Sequence, residues 1–233
     1  MAHRTKSDFI IEQHSNSMTK DRFKFNLFYS GEDSKPDYLY AQEITDDVFS
    51  ATALSIDALA MDFPNGTTTK YRKELENKWL QLLPKLDKVK SLSIRLKVSQ
   101  EFFNAVCKMK NLERLHFWTS TVEDISEISK LTNLTRLDIE SFNRLTDISP
   151  LLKLQKLRLL YIENSYKIEN YDIIGKMTQL VGLKLNGSIT APKKLRLSSL
   201  KPFLNLKKLE HLDLLACAVI DNSYDTILKL ENL

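Results

Sequence analysis

Histidine and cysteine are the side chains in this 233-residue chain best suited to metal binding or nucleophilic catalysis. The chain contains His3, His14, His116, His211, Cys107 and Cys217. No G-x-S-x-G, H-E-x-x-H or C-x-x-C motif gives these residues the spacing of a catalytic or metal site. The five glycines likewise form no phosphate-binding loop. We therefore expect no catalytic residue, no metal and no cofactor.

A repeated pattern of apolar residues determines where the other side chains lie. Leucine or a close substitute follows the pattern L-x-x-L-x-L in units that open at Val89, Leu112, Leu134, Leu157, Leu180 and Leu209. The steps between these positions are 23, 22, 23, 23 and 29 residues. One such unit, a short strand and a return segment, cannot bury its own apolar face, so neighbouring units must stack. We therefore predict an α/β leucine-rich-repeat solenoid over residues 86–233, a shallow arc with a parallel sheet on its concave face.

The segments that return the chain from one strand to the next are not alike. The unit at Val89 carries QEFFNAVCKM, which predicts a short helix. The next three units carry VEDISEISKL, LTDISPLLKL and IENYDIIGKM, in which an acid precedes an apolar pair. This order is typical of a tight turn or 3-10 segment capped by a carboxylate, and Asp124 and Asp147 fit the capping role best. The step of 29 residues predicts a loop insertion around residues 190–195.

Side chains at the third, fifth and seventh places of each unit point away from the core, because strand side chains alternate. The residues of this concave face that we predict to bind a partner are Arg95, Arg114, His116, Trp118, Arg136, Asp138, Glu140, Tyr161, Glu163 and Lys184. Arginine, tryptophan and tyrosine are enriched at the energetic centres of interfaces. Trp118 beside Arg95, Arg114 and Arg136 is the sharpest cluster. The alternative is a solvated sheet face on which Trp118 packs against arginine stems.

The same register separates residues that could otherwise combine chemically. His116 and His211 lie several repeats apart, so we expect that they do not share a metal ion. Cys107 and Cys217 are also several repeats apart, so we expect no disulfide between them. Cys107 lies in an apolar return segment, which favours a buried, inert thiol over a reactive one. We interpret His116 as a binding residue rather than a catalyst.

The units at Leu112 and Leu134 resemble the internalin-type bacterial leucine-rich repeat. The hallmark of that repeat is L-T-N-L-x-x-L-x-L followed by x-D-I-S-x-L. This chain has LTNLTRLDI at residues 131–139 and TDISPL at residues 146–151. The resemblance covers about residues 86–233 and implies the repeat class without implying a partner. Internalins are secreted and carry surface anchors, and neither feature is evident here, so we do not expect their host-adhesion role.

The resemblance also implies a ladder of side-chain hydrogen bonds. In the internalin-type repeat, an asparagine three residues after the third leucine position bonds the turn backbones of neighbouring repeats. The corresponding positions here are Ser120, Phe142, Ser165, Ser188 and Cys217. Serine can still satisfy a backbone group, and cysteine occupies this position in some leucine-rich classes. Phe142 cannot hydrogen-bond through its side chain, so the ladder is expected to be broken there or shifted to Asn143.

Residues 1–85 do not show the repeat and are predicted to form an N-terminal cap. The cap is expected to begin with a loose tail at residues 1–20, followed by a hairpin in which RFKFNLFYS and DYLYAQEI pair around a turn at residues 31–36. A degenerate first repeat is expected next, at Ala51, Leu54 and Ile56. A turn at residues 64–66 then leads into a helix at residues 71–86. A hairpin in this place would cover the open apolar end of the first repeat.

The last residues of the sequence, 230–233, resemble the opening of a seventh unit. Just before them, Ile220, Tyr224, Ile227, Leu228 and Leu230 give the chain an apolar side at near-helical spacing. The apolar edge of the unit at Leu209 could be covered by residues 221–230 folded back as a helix or by a second copy of the chain, and we predict the first.

A stack of repeats usually serves to bind another macromolecule. We therefore expect a protein–protein interaction module that binds another protein on its concave face, as an adaptor, a regulator, or an enzyme inhibitor of the immunity-protein kind. Few cysteines, no signal-peptide apolar region and no apolar stretch near about 18 residues favour a cytoplasmic monomer without a membrane segment. The internalin-type resemblance favours a bacterial source.

Two alternatives stay open. The stretch 193–208 contains no acid and carries Lys193, Lys194, Arg196, Lys201, Lys207 and Lys208. It could contact the phosphates of a nucleic acid, but no aromatic side chain that could stack on a base is interleaved, which favours a solvated edge. The net charge of +4 is mildly basic and does not by itself call for nucleic acid. The other alternative is an enzyme with its chemistry in the N-terminal region.

Overall fold

The computed structural model describes residues 37–58, 68–188 and 193–233 of the chain. The strands in these ranges are β1 (Asp37–Tyr40), β2 (Ala53–Asp57), β3 (Ser91–Val98), β4 (Arg114–Ser120), β5 (Arg136–Glu140), β6 (Leu159–Glu163), β7 (Gly182–Asn186), β8 (Leu195–Leu197), β9 (His211–Asp213) and β10 (Cys217–Val219). In the described ranges, β1 to β7 and β9 form one parallel sheet of eight strands in chain order, while β8 and β10 pair separately. The chain therefore advances one strand per repeat, as a solenoid does.

Neighbouring strands pair in the register that the leucine pattern predicts. Leu115, Leu137, Leu160 and Leu183 lie one beside the next and have no exposed surface. The same register extends toward the N-terminus, because Leu54 on β2 pairs with Leu92 on β3, whose own neighbour on β4 is Leu115. The sheet thus runs through the boundary that we predict at residues 85 and 86, and the boundary itself stays a prediction.

Helices and 3-10 segments return the chain on the other side of the core. They are α1 (Thr69–Leu82), α2 (Gln100–Val106) and 3-10 segments at Asp46–Phe49, Leu83–Lys85, Ser126–Lys130, Ser149–Lys153, Tyr171–Lys176, Lys201–Asn205 and Ser223–Lys229. The predicted short helix of the unit at Val89 and the predicted 3-10 segments of the next three units are therefore confirmed.

The carboxylate caps predicted for two return segments are also present. Asp124 Oδ1 and Asp147 Oδ1 each accept a hydrogen bond from the backbone N–H two residues on, at 2.7 Å in both cases. The bond from the Ser149 backbone is the main reason that the pKa of Asp147 lies below its ordinary value. The first N–H groups of a helical segment have no carbonyl of a preceding turn to bond to, and the two aspartate carboxylates accept these hydrogen bonds instead.

Aromatic residues fill the core where the serine ladder is interrupted. Phe103, Phe117 and Phe142 are fully buried, with ring centroids 5.5 and 5.7 Å apart in succession. Phe142 is therefore a core residue. The ladder is bridged by the next repeat, because Ser165 Oγ accepts the Phe142 backbone N–H at 3.2 Å. Asn143 is exposed to solvent, so the expected shift of the ladder to that residue does not occur.

A second ladder of amide side chains was not predicted from the sequence. Each amide stands one residue before the leucine that opens a unit and donates to a backbone carbonyl of the preceding repeat. The pairs are Asn111 with Asp87, Asn133 with Lys110, Gln179 with Leu154, and Asn232 with Lys207. The signal for it was the asparagine before the second leucine of the L-T-N-L motif.

The predicted N-terminal cap is only partly within the described residues. The DYLY part of DYLYAQEI forms β1, which pairs in parallel with β2. The other predicted hairpin strand, its turn and the turn at residues 64–66 lie outside the described residues. The predicted helix is observed as α1 followed by a 3-10 turn. Trp79 on α1 donates its Nε1–H to the Ala41 carbonyl, just after β1, at 2.7 Å.

The predicted loop insertion at residues 190–195 is shorter than expected at its C-terminal end. Leu195 already begins strand β8, which pairs with β10 and buries both Leu195 and Leu197 in the core. Residues 189–192 lie outside the described residues.

The predicted C-terminal covering helix is wrong. Residues Ser223–Lys229 form a 3-10 segment that packs beside Lys201–Asn205 as the return segment of the last unit. With three residues per turn, Ser223 and Thr226 point inward and are buried, which leaves Leu228 89% exposed. Of the near-helical apolar set, Ile220, Tyr224 and Leu228 are exposed, whereas Leu230 lies in the core and Ile227 packs against it.

Gly175 lies where two return segments touch, and we expect Gly175→Ala to destabilise the protein by about 1–3 kcal/mol. A Cβ at this position would lie 2.3 Å from the carbonyl oxygen of Pro202 in the next repeat. Because that atom is backbone, the repeats would have to separate. Thermal unfolding followed by circular dichroism measures the effect. Lys176→Ala, an exposed change in the same segment, is the control. An unchanged melting temperature for Gly175→Ala would show that the two repeats are not in tight contact.

Candidate partner-binding surface

The sheet brings the predicted binding residues onto one surface. His116, Asp138, Tyr161 and Lys184 are direct neighbours in successive strands. Leu160 and Ile162, on either side of Tyr161, belong to the hydrophobic core, whereas Tyr161 does not pack in that core. Tyr161 and its neighbours in the row therefore point to the opposite side of the sheet. We call this side the concave face, meaning the side chains at the third, fifth and seventh places of β2 to β7.

Three polar residues link β3, β4 and β5 across the concave face. Ser93 Oγ lies 2.9 Å from His116 Nδ1, and His116 Nε2 lies 3.0 Å from Glu140 Oε1. A serine, a histidine and a carboxylate in contact are also the parts of a nucleophilic triad. Ser93, however, is buried in the middle of β3, where the backbone N–H groups serve the pairing with β2 and β4 instead of an oxyanion. We interpret the three residues as a cross-strand link.

The centre of the concave face carries a buried ion pair. Arg136 donates to Asp138 through two bonds, Nε to Oδ1 at 2.9 Å and Nη2 to Oδ2 at 2.8 Å. The Arg136 guanidinium also stacks on the Tyr161 ring, 4.6 Å from its centroid. Burial raises the pKa of Tyr161 well above its ordinary value, so the phenol stays protonated. Its hydroxyl has no hydrogen-bond partner among the residues that the structure describes.

Two glutamates on neighbouring strands each contact a nitrogen-bearing side chain of their own. Glu140 and Glu163 are directly opposite each other on β5 and β6. His116 contacts Glu140, and Lys184 contacts Glu163. These pairs offset the repulsion that two adjacent carboxylates would otherwise cause. Lys184 also lies 5.9 Å from the centre of the Tyr161 ring, which joins this group to the buried ion pair.

Trp118 is the predicted binding residue that projects most clearly into solvent. Its side chain is 48% exposed, and the Arg95 guanidinium lies 5.5 Å from the ring centroid. Arg95 Nε also lies 3.5 Å from Asp57 Oδ1, so the arginine is held between a carboxylate and the ring. Arg114 is half-buried at the start of β4. The structure thus places Arg95 and Trp118 together, while Arg136 lies inside the buried centre.

The residues of the basic edge are spread over several elements. Arg196 is on β8, Lys201 begins a 3-10 segment, and Lys207 and Lys208 stand in the turn before β9. Lys201 is paired with a carboxylate, that of Asp221 at 3.2 Å. The Lys193 amino group lies 5.0 Å from the Tyr166 ring of the preceding repeat. This aromatic contact was not predicted, because Tyr166 lies outside the stretch 193–208.

The other chemically capable residues lie apart. Cys107 is buried, and burial raises the pKa of its thiol far above the ordinary value. Burial also raises the pKa of Cys217 to about 11, and its Sγ–H donates to the Leu185 carbonyl at 2.7 Å. Among the described residues, no group of three His, Cys, Asp or Glu side chains is placed to hold a metal ion. None of the helices in residues 37–58, 68–188 and 193–233 is long and apolar enough to cross a membrane.

Reasoning from the sequence missed residues that complete the concave face. Ser93 and Asp57 supply hydrogen-bond and ion-pair partners to His116 and Arg95. On β7, Asn186 donates to Asp213 Oδ2 at 3.2 Å. Ser93, Asn186 and Asp213 all occupy outward places of the repeat, so their position was available as a signal. Their hydrogen-bond and ion-pair partners were not predictable, because these depend on which strand lies beside each residue.

Comparison with known proteins adds independent information on the fold. A family model described as leucine-rich repeats in two copies matches residues 110–153. A search of curated proteins finds no match. Among solved structures, an internalin (inlF) of Listeria monocytogenes is similar at 16% identity and a TM-score of 0.53, over 79% of this chain and 53% of that one.

Two further solved structures show weaker similarity. Internalin C2 of Listeria monocytogenes is 21% identical with a TM-score of 0.48, over 65% of this chain and 62% of that one. A leucine-rich-repeat protein of Leptospira interrogans is 17% identical with a TM-score of 0.49, over 83% of this chain and 51% of that one. The chain spans between about half and three fifths of the length of these structures. By its repeat register, its parallel sheet and the family match over residues 110–153, the chain has the leucine-rich-repeat solenoid fold, with repeats that resemble the internalin type.

Proposed function

We propose that this chain is a protein-binding module that takes its partner on the concave face, with Trp118 and Arg95 as the main contacts. The observation that carries the proposal is a large aromatic side chain held half-exposed by a stacked guanidinium. Solenoid repeats build extended concave surfaces that serve binding. Tryptophan and arginine are the side chains that most often supply the binding energy of such surfaces.

The geometry around Trp118 favours binding because the two side chains are ordered before a partner arrives. Arg95 is restrained on one side by Asp57 and on the other by the Trp118 ring. Binding of a partner therefore costs less side-chain entropy, because Arg95 and Trp118 are already ordered. The Arg95 side chain is still about half-exposed, so its remaining donors are available to an acceptor on the partner.

The biological role that we propose is regulatory rather than catalytic. An adaptor, a regulator or an inhibitor of a toxin-like enzyme would each need a specific surface and no chemistry. We also propose a bacterial, cytoplasmic setting. The internalin-type repeats support the first part, and two thiols that are free and largely buried are compatible with a reducing compartment.

We expect Trp118→Ala to weaken partner binding about 30-fold, the equivalent of about 2 kcal/mol, because it removes the central aromatic contact. The tagged full chain is used to capture partners from a native lysate, which are identified by mass spectrometry, and the affinity of the purified partner is then measured by calorimetry. Tyr224→Ala is the matched control, because Tyr224 is also 48% exposed but lies in the last 3-10 segment, away from β4.

A partner that binds the wild type and Tyr224→Ala alike, but loses affinity for Trp118→Ala and Arg95→Ala, supports the proposal. Equal affinity for all four proteins would place the partner elsewhere on the chain and would refute it. Circular dichroism of each variant shows that the loss does not come from unfolding.

A further inference from the structure

The last strand of the sheet has an open edge. Among the residues that the structure describes, β9 pairs with β7 on one side and with no strand on the other. Leu212 on this strand and Leu214 just after it are partly exposed, whereas Leu183 and Leu185 of β7 have no exposed surface. The apolar core of the stack therefore reaches solvent at this end, and an open edge with apolar side chains invites pairing with another strand.

Backbone hydrogen-bonding groups also stay open at this edge. In each preceding unit, the carbonyl just before the strand accepts two N–H groups of the next strand, as Val181 does from Glu210 and His211 at 2.8 and 3.1 Å. Within the described part of the chain, no backbone group bonds in this way to the Glu210 carbonyl or to the N–H and C=O of Leu212 and Leu214. These groups point away from β7, because the backbone groups of a strand alternate between its two edges.

The order of the open groups fits a second copy of the same strand in antiparallel orientation. With Leu212 opposite Leu212 of the second copy, the two residues exchange N–H···O=C bonds in both directions. The same register sets the Leu214 N–H of each copy opposite the Glu210 carbonyl of the other. The Glu210 N–H, which this register does not use, is already bonded to Val181 within the chain. The antiparallel pairing therefore uses open backbone groups and needs none that is already bonded.

The side chains of this strand are complementary in the same register. Asp213 lies beside Lys184 of the concave face, and His211 points to the same side because strand side chains alternate. In the antiparallel pairing each His211 faces Asp213 of the second copy, so both cross-strand pairs join an imidazole to a carboxylate. Asn186 donates to Asp213 Oδ2 at 3.2 Å, which leaves Oδ1 to accept a bond from the imidazole.

A neighbouring register would be less favourable. A pairing centred on Asp213 would set two carboxylates directly opposite each other, which is destabilising. It would also require backbone groups of Asp213 that face β7, because the groups of Asp213 point to the same edge as those of His211. Charge and backbone direction thus select the same register, the one centred on Leu212.

We propose that two copies of this chain pair through the β9 edge, antiparallel, about a two-fold axis at Leu212. Such an interface is isologous, because each copy supplies the same strand. The two eight-stranded sheets become one sheet, and Leu212 and Leu214 of both copies share one apolar core. This dimer differs from the monomer that the sequence favours. It carries two pairs of Trp118 and Arg95, so a partner with two binding segments is held by both copies.

Light scattering of the full chain over a dilution series tests the pairing. The mass should rise from the 27.0 kDa of one chain toward twice that value. The rise should fall between about 1 and 100 µM, because a contact between two strand edges belongs to the small, weak class of interfaces. His211→Asp sets carboxylate against carboxylate in both cross-strand pairs and should weaken dimerisation at least about tenfold.

Two further variants make this test specific for the edge. His211→Asp combined with Asp213→His restores both cross-strand pairs in reverse order and should recover the dimer. Asn143→Asp makes the same change of charge at an exposed position of a middle repeat and should leave the dimer unchanged.

Disulfide formation checks the register independently. Residues 211 and 213 of opposite copies would have Cα atoms about 4.5 Å apart, which a disulfide spans, whereas the diagonal pairs 211 with 211 and 213 with 213 would be about 7–8 Å apart. An equimolar mixture of His211→Cys and Asp213→Cys chains should therefore give covalent dimers on oxidation. Each variant by itself should give no more than the wild type, which has Cys107 and Cys217 as its own thiols.

Three results would overturn the proposal. A monomer mass up to about 100 µM would show that the edge stays unpaired. A dimer that His211→Asp leaves unchanged, or disulfides that form equally in the single variants, would place the contact elsewhere or in another register. A mass that keeps growing past the dimer would indicate head-to-tail stacking of copies. Circular dichroism confirms that each variant is folded. None of these measurements uses the unidentified partner, so their failure would leave the proposed binding function untouched.

Discussion

Leu137→Asp is expected to yield no stably folded protein. Leu137 has no exposed surface and lies in the sheet between Leu115 and Leu160, with a core of leucines and phenylalanines behind it. A carboxylate in this place loses its hydration and meets no cation, at a cost of several kcal/mol on top of the lost apolar packing. A domain is stable by only about 5–15 kcal/mol. Each repeat also supports its neighbours, so a failed central unit removes stability on both sides.

The same substitution at an exposed leucine is the matched control for this prediction. Leu228→Asp changes a side chain that is almost wholly in solvent, so it should leave the melting temperature near that of the wild type. Soluble expression, circular dichroism and thermal melting are compared for the two variants. Normal melting of Leu137→Asp would mean that Leu137 does not face the core and that the repeat register is wrong.

Asp138→Ala is expected to lower the free energy of unfolding by about 3–5 kcal/mol, because it removes one partner of a buried ion pair. The Asp138 carboxylate accepts two hydrogen bonds from Arg136, and both side chains are almost out of contact with solvent. After the substitution, the Arg136 charge stays buried without its two-bond acceptor. Denaturant unfolding with a fixed m-value measures the change.

An exposed ion pair on the same protein provides the contrast. Arg144 and Glu123 are joined by one bond of 2.9 Å, and both side chains are more than half-exposed. Glu123→Ala should therefore cost at most about 1 kcal/mol. Replacing both buried partners, as Arg136→Met with Asp138→Leu, should recover much of the loss, because no charge is then left buried. Equal, small losses for Asp138→Ala and Glu123→Ala would show that the central pair is hydrated.

Much of the fold was predictable because the leucine pattern acts locally and repeats. Burial of Leu115, Leu137 and Leu160 follows from spacing alone, since a strand buries every second residue and each unit must stack on the next. The caps at Asp124 and Asp147 were predictable for the same reason, because a carboxylate binds a backbone N–H only two residues away. Where local spacing misled, at residues 220–230, the 3-10 geometry changed which side chains face inward.

The sequence by itself determined the repeat register and therefore which residues lie on the concave face. It did not determine how those residues combine. Ser93, His116 and Glu140 are 23 and 24 residues apart in sequence and meet only because β3, β4 and β5 are neighbours in the sheet. Arg136 and Tyr161 are buried and stack on each other across β5 and β6, a contact that no spacing within one repeat encodes. Alternation assigns a side chain to a face, whereas the pairing of strands that are distant in sequence decides which side chains meet on that face.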